Sequence, residues 1–240
     1  FGMDYGVTNA TGKISKDAAK RILHLARDSG ITRLDTAPSY GDSQENLGTI
    51  GVEGFKITTK LPKFSIDSTK SLYTFLTNSV EKTLEDLQVN AVDTILLHDP
   101  EILTSRYSDE VYDFLVMLKK KKVVKNIGIS SYEVQATLKI YKKYELDVIQ
   151  APYNVFDRRF ANAFSSKEFG EAVQFQARSI FLQGILLTST RSGYFDKWNK
   201  QFNNYYKVVK QSGLTSLEYC VRDALYNRAV DGILIGPDTA

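Results

Sequence analysis

The chain has 240 residues, 42% of them apolar, with 31 basic and 28 acidic side chains and a net charge of only +3. That is apolar material enough for a large core in one α/β domain, and too little charge imbalance for a footprint directed at nucleic acid or an anionic membrane. A single cysteine, Cys220, excludes an internal disulfide framework.

After the turn-rich opening FGMDYGVTNATG, apolar residues at Ala18, Ile22, Leu25 and Ala26 predict a helix over 17–28, stopped by Gly30. TRLDTA follows as a strand, SQENLGTI as a short helix with Ser43 as its N-cap, and FKITTKL as the next strand. Leu72, Phe75, Leu76, Val80, Leu84 and Leu87 share one face of a long amphipathic helix. VDTILLH, a helix over 110–121, VKNIGIS, a helix over 133–144 and DVIQAPYN continue the alternation. The block KKKK at 119–122 reads as a solvated helix end favoured by the helix dipole. The rhythm loosens over 155–172, which reads as irregular; AVQFQARSIFLQG is then a strand and loop, 198–211 and 216–227 are helices, and VDGILIGP is the last strand. In the last helix, spacing puts Cys220 beside Leu217 and Leu225, as a core residue rather than a nucleophile.

Strands alternating with helices of this length require parallel pairing through crossover connections. The strands number seven, whereas a closed parallel (β/α)8 TIM barrel needs eight, so the first strand and the last helix are expected to be missing from this sequence. No apolar run approaches the ~18 residues that span a bilayer, and the first residues lack the regions of a signal peptide. The expectation is a single barrel domain over 1–240, soluble and cytoplasmic, with neither nucleic acid nor membrane as partner.

Four ionisable groups stand out by position. Asp35 ends one apolar run, Tyr40 follows it in the loop, Lys60 ends FKITTK and His98 ends TILLH, so three strands would deliver all four to one end of a barrel. The bland alternative is a structural ion pair between Asp35 and Lys60, with Tyr40 and His98 lining the mouth. Other chemistries find less support. His24 sits in a helix pattern far from His98, and with one helical cysteine no zinc ligand set forms, so no metal is expected. SSY and TST lack a GxSxG elbow, no Walker loop is complete, and no GxGxxG follows a strand.

The segments LDTAPSYGDSQENLG, TTK, LLHDP, IGISSY, QAPYN, FLQGILL and ILIGP occur in an order and spacing that resemble the aldo-keto reductase family across nearly the whole chain. The resemblance implies an eight-stranded parallel barrel and reversible hydride transfer between NADPH and a carbonyl. It places Asp35, Tyr40, Lys60 and His98 on the family's catalytic tetrad. It also implies a nicotinamide site at Ser130 and Gln150, with Ser131 where the family has Asn; a hydroxyl offers one donor where an amide offers two. By the same resemblance Phe181 stacks on the ring, Leu182 and Gly184 let backbone approach the diphosphate, and Gly236 begins a phosphate-binding turn. NADP is the expected cofactor and NAD a possible one, because the family's adenine contacts lie beyond Gly236.

The residue types suit that chemistry. Hydride attack builds negative charge on the carbonyl oxygen, which calls for a positioned proton donor. Tyr40 is that donor, and since a phenol has a pKa near ~10, each tenfold gain in its acidity requires ~1.4 kcal/mol of differential stabilisation. An ammonium at Lys60 would supply it, Asp35 would hold that ammonium, and a neutral His98 would orient the carbonyl. Substrate choice would rest on loops at Met3 to Asn9, Asp99 to Asp109 and Phe156 to Phe164. Asp4, Tyr5, Asp99, Arg158 and Arg159 make these loops polar, which points to a hydroxylated or sugar-like small-molecule carbonyl. The alternatives are a cofactor-binding regulatory or scaffold subunit with vestigial turnover, and an isomerase or lyase, which would need a metal or phosphate site.

Overall fold

Alternate residues of the strands are polar or small, and that alternation decides what faces the interior of the sheet. In a computed structural model, which describes residues 2, 12–65, 71–189 and 193–237, β1 (Arg33–Asp35), β2 (Lys56–Leu61), β3 (Val92–Leu97), β4 (Val124–Ser130), β5 (Val148–Pro152), β6 (Gln174–Arg178) and β7 (Gly232–Ile233) form one parallel sheet in chain order. Ile57, Leu61, Ile95, Leu97, Ile127, Ile129, Ile149, Ala151, Phe175 and Ala177 belong to the main apolar cluster. Of the intervening positions, Lys60, Ser130, Gln150 and Gln176 are buried polar residues on the opposite face, which they share with the buried apolar Leu96 and Val148.

The sheet is curled. In a flat sheet β1 and β5 would stand four strand spacings apart, roughly 19 Å, yet Gln150 Nε2 donates to Asp35 Oδ2 at 2.8 Å. The expected parallel barrel architecture is therefore present with seven strands, and β1 and β7 are not paired with each other among the described residues. Curvature demands close approach. A Cβ at Gly128 would lie 1.9 Å from the Val148 carbonyl oxygen, so only glycine lets β4 and β5 meet there.

Helices α1 (Lys16–Asp28), α2 (Ser43–Ile50), α3 (Leu72–Leu87), α4 (Ser108–Lys120), α5 (Val134–Lys143), α7 (Asn199–Ser212) and α8 (Ser216–Leu225) follow the periodicity of the sequence. Several details differ from expectation. Ser43 is not the N-cap of α2: Asp42 holds that place without a side-chain bond to the helix backbone, its carboxylate accepting from Lys13 instead, while Ser43 is buried and accepts from Thr36 Oγ1 at 3.0 Å. The inward face of α1 runs through Ala19, Ile22 and Leu23, leaving Leu25 52% exposed. In α8 the small residues Cys220 and Ala224 face inward, and Leu217 and Leu225 are 52% and 59% exposed. The stretch over 155–172 is not wholly irregular, because Phe160, Ala161 and Ala163 bury one face of a short helix, α6 (Arg159–Ser165). Lys119 opens the basic block but pairs with Asp147 at 2.6 Å, tying α4 to the start of β5.

The loop at Met3 to Asn9, with Asp4 and Tyr5, lies outside the described residues. Among those described, no helix is long and apolar enough to cross a membrane.

Candidate active site

The C-terminal ends of β1, β2, β3, β4, β5 and β6 meet around one cluster of polar side chains. Lys60, only 1% exposed, projects from the end of β2 and donates to Asp35 Oδ1 at 2.5 Å and to the Thr36 carbonyl at 3.1 Å. A buried ammonium needs this company, since an unpaired charge out of water carries a large desolvation cost. The loop after β1 brings Tyr40 over the same nitrogen, which lies 4.8 Å from the ring centroid. His98, just beyond β3, meets the Tyr40 ring edge-on at 5.9 Å, and its Nδ1 is 3.2 Å from Ser39 Oγ. The structure thus brings Asp35, Tyr40, Lys60 and His98 together from three strand ends.

Electrostatics at this point favour a neutral imidazole. Burial is the main cause that pushes the pKa of His98 below its ordinary value, the Lys60 and Arg178 charges act in the same direction, and the Asp35 and Asp99 carboxylates oppose them.

Ser130 and Gln150 are opposite one another in the β4–β5 register, and Gln150 is opposite Gln176 in the next pair. The Gln150 amide donates to Asp35 and, at 3.4 Å, to Gln176 Oε1, which leaves its own Oε1 buried without a hydrogen-bond partner. An orphaned buried acceptor beside the cluster fits a ligand group that donates, such as a carboxamide. Ser131, where the family resemblance puts Asn, turns away: its hydroxyl accepts from Thr137 Oγ1 at 2.7 Å and from the Glu133 amide at 3.3 Å, anchoring the start of α5.

After β6 the chain makes a left-handed turn through Leu182, Gln183 and Gly184, with φ of 49°, 54° and 92°. Glycine adopts this conformation freely, while the two preceding residues bear a strain of roughly 1–3 kcal/mol each. Phe181 is half-buried and packs against both apolar clusters. Gly236 lies exposed past β7, with nothing within 4 Å of an added Cβ.

The loop residues from which a sugar-like substrate was read are engaged with the protein itself. Asp99 pairs with Lys63 at 2.9 Å, Arg158 with Asp223 at 2.7 Å and Arg159 with Asp157 at 2.9 Å. Sequence reasoning passed over Ser39, Gln176 and Arg178. The last two were accessible to it, since QFQAR repeats polar residues at every second position of a buried strand.

Known proteins resemble the chain in sequence and in fold. The chain is 30% identical over 121 residues to a D-arabinose 1-dehydrogenase of Saccharomyces cerevisiae, a match that covers 47% of this chain and 36% of that enzyme. It is 26% identical over 226 residues to a D-threo-aldose 1-dehydrogenase of a Pseudomonas species, covering 78% and 68% of the two. The chain thus spans little more than a third of the first relative's length and about two thirds of the second's. Its fold superposes with a TM-score of 0.72 on an aldo-keto reductase from Bacillus halodurans in its holo form, at 19% identity and over 98% of this chain and 85% of that one. Residues 2–240 match the profile of the Aldo/keto reductase family, and the chain belongs to that family.

Proposed function

We propose that this protein transfers hydride between a nicotinamide cofactor and the carbonyl of a small aldehyde or ketone. The observation that carries this reading is the buried Lys60 ammonium, held by Asp35 and facing the Tyr40 ring, with His98 at its edge. Burial of a lysine at the mouth of a sheet serves stability poorly; beside a phenol it favours the phenolate and makes the hydroxyl a better acid.

In this reading the reduced cofactor, when bound, supplies a hydride to the carbonyl carbon. Tyr40 gives its proton to the carbonyl oxygen as charge develops there, and in the reverse direction takes it back. Lys60 stabilises the phenolate that remains, and Asp35 fixes the ammonium. Ser39, donating to Nδ1 of the neutral His98, would leave the ring proton on Nε2 to bond and orient the carbonyl. Ser130 and the free Oε1 of Gln150 would hold the carboxamide, and the turn from Leu182 to Gly184 would border the diphosphate. Phe181 could stack on the ring only by leaving its present packing, and Gly236 would begin the phosphate turn.

NADPH is the cofactor proposed, with NADH as its competitor. A sugar-like carbonyl is the proposed substrate, on the strength of the two sugar dehydrogenases among its relatives rather than of the loop residues. The reaction is placed in the cytoplasm, where a buried thiol such as Cys220 stays reduced. The test is oxidation of NADPH and NADH with a panel of aldoses and simple aldehydes, comparing the parent with Tyr40→Phe. A loss of at least a hundredfold in kcat is expected, and equal rates would overturn the assignment.

A further inference from the structure

The mouth of the sheet holds a cation that the chemistry above leaves unused. Arg158 and Arg159 are each paired with a carboxylate. Arg178, the last residue of β6, has none within ion-pair distance among the described residues. One of its terminal nitrogens donates to the Ser131 carbonyl at 3.3 Å, and its Nε is buried without a partner. The guanidinium carbon lies 3.9 Å from the centroid of the Tyr132 ring. Arg178 is two residues past Gln176, the partner of Gln150 in register, and it touches the residue that follows Ser130. It therefore borders the place proposed for the carboxamide, whereas Phe181 is packed between two apolar clusters.

We infer that Arg178 flanks the nicotinamide ring and makes the site hold the reduced cofactor more tightly than the oxidised one. The inference rests on the cofactor reading above. The two redox forms share every phosphate and hydroxyl and differ by the single positive charge that the ring acquires when it gives up hydride. A fixed guanidinium beside the ring repels only the charged form. For like charges roughly 6 Å apart, at an effective dielectric constant of about 40, the discrimination is about tenfold. The functional consequence is faster loss of the oxidised product after each carbonyl reduction. His98 registers the same charge, which helps to keep its imidazole neutral.

The experiment is calorimetric titration of the full chain with NADP+ and NADPH, and with NAD+ and NADH, in the parent, Arg178→Met and Arg178→Lys. The expected result is that the ratio of oxidised to reduced Kd falls about tenfold in Arg178→Met and stays within about threefold of the parent in Arg178→Lys. Should the methionine variant not fold, Arg178→Gln makes the same comparison. An unchanged ratio in the neutral variant overturns the inference while leaving the cofactor reading intact, as does an equal fall in the lysine variant, which would assign the effect to the planar face rather than the charge. Failure of both redox forms to bind the parent at millimolar concentration would overturn the cofactor reading, and this inference with it.

Discussion

Replacing Lys60 with methionine separates stability from chemistry at the centre of the cluster. The side chain is 1% exposed and its partner Asp35 is 19% exposed, so the substitution strands a largely buried carboxylate. Breaking a buried pair from one side costs about 3–5 kcal/mol. Asp35 keeps the Gln150 bond at 2.8 Å and some access to water, which lowers the expected loss to about 2–3 kcal/mol. In a chain of 240 residues that corresponds to a fall in Tm of roughly 5–10 °C. Adding Asp35→Asn removes the stranded charge and should recover at least half of the loss. Turnover should behave differently: Lys60→Met should lower kcat by at least about a hundredfold, and the double variant should stay as slow. Urea unfolding and cofactor oxidation on the same preparations read both quantities. A double variant that regains parental turnover would show the pair to be structural only, and a Lys60→Met protein within about 0.5 kcal/mol of the parent would refute the burial argument.

Gly2→Ala should impair catalysis from outside the cluster. The added Cβ would lie 1.9 Å from the Tyr40 carbonyl oxygen and 2.3 Å from the Ser43 amide nitrogen, so the close packing of Gly2 against the loop that carries Tyr40 must give way. A fall in kcat of about tenfold or more is expected, and parental kcat would contradict it. For His98, burial, aided by Lys60, holds the folded-state pKa below the ordinary 6.5. Around and below that pH the unfolded chain therefore binds more protons than the folded one, so stability from the neutral imidazole is full above about 6.5 and declines as pH falls. His98→Asn should show a smaller stability loss between pH 7.5 and pH 5.5 than the parent, and an imidazole that titrates by NMR above 6.5 would refute the electrostatic account.

Periodicity exposed most of the architecture. The strands from FKITTKL to QFQAR and the long helix at Leu72 could be read because their apolar spacing is carried by large residues that end up buried. Where small residues make the contact, as at Cys220 and Ala224, the leucines nearby were misleading. The helix at Arg159–Ser165 spans only seven residues, too short for a period to declare itself. In the candidate site, Asp35, Lys60 and His98 were visible because an ionisable residue at the end of an apolar strand is costly without a purpose. Arg158 was not legible in the same way, since its partner Asp223 lies 65 residues on and is brought to it by tertiary packing, while Ser131 is taken up by a local bond to Thr137 at the start of α5. Arg178 could have been found by carrying the in-and-out alternation two residues past Gln176, to the next position on the same face.

The bond between Gln150 and Asp35 joins positions 115 residues apart. During synthesis the first three strands can bring the ammonium and its carboxylate together well before the glutamine leaves the ribosome. One carboxylate oxygen would then face open water until strand β5 arrives. The arrival of β5 would thus decide whether the cluster is drawn shut, and a nascent chain halted near residue 140 would lack the crossbar that braces the paired charges.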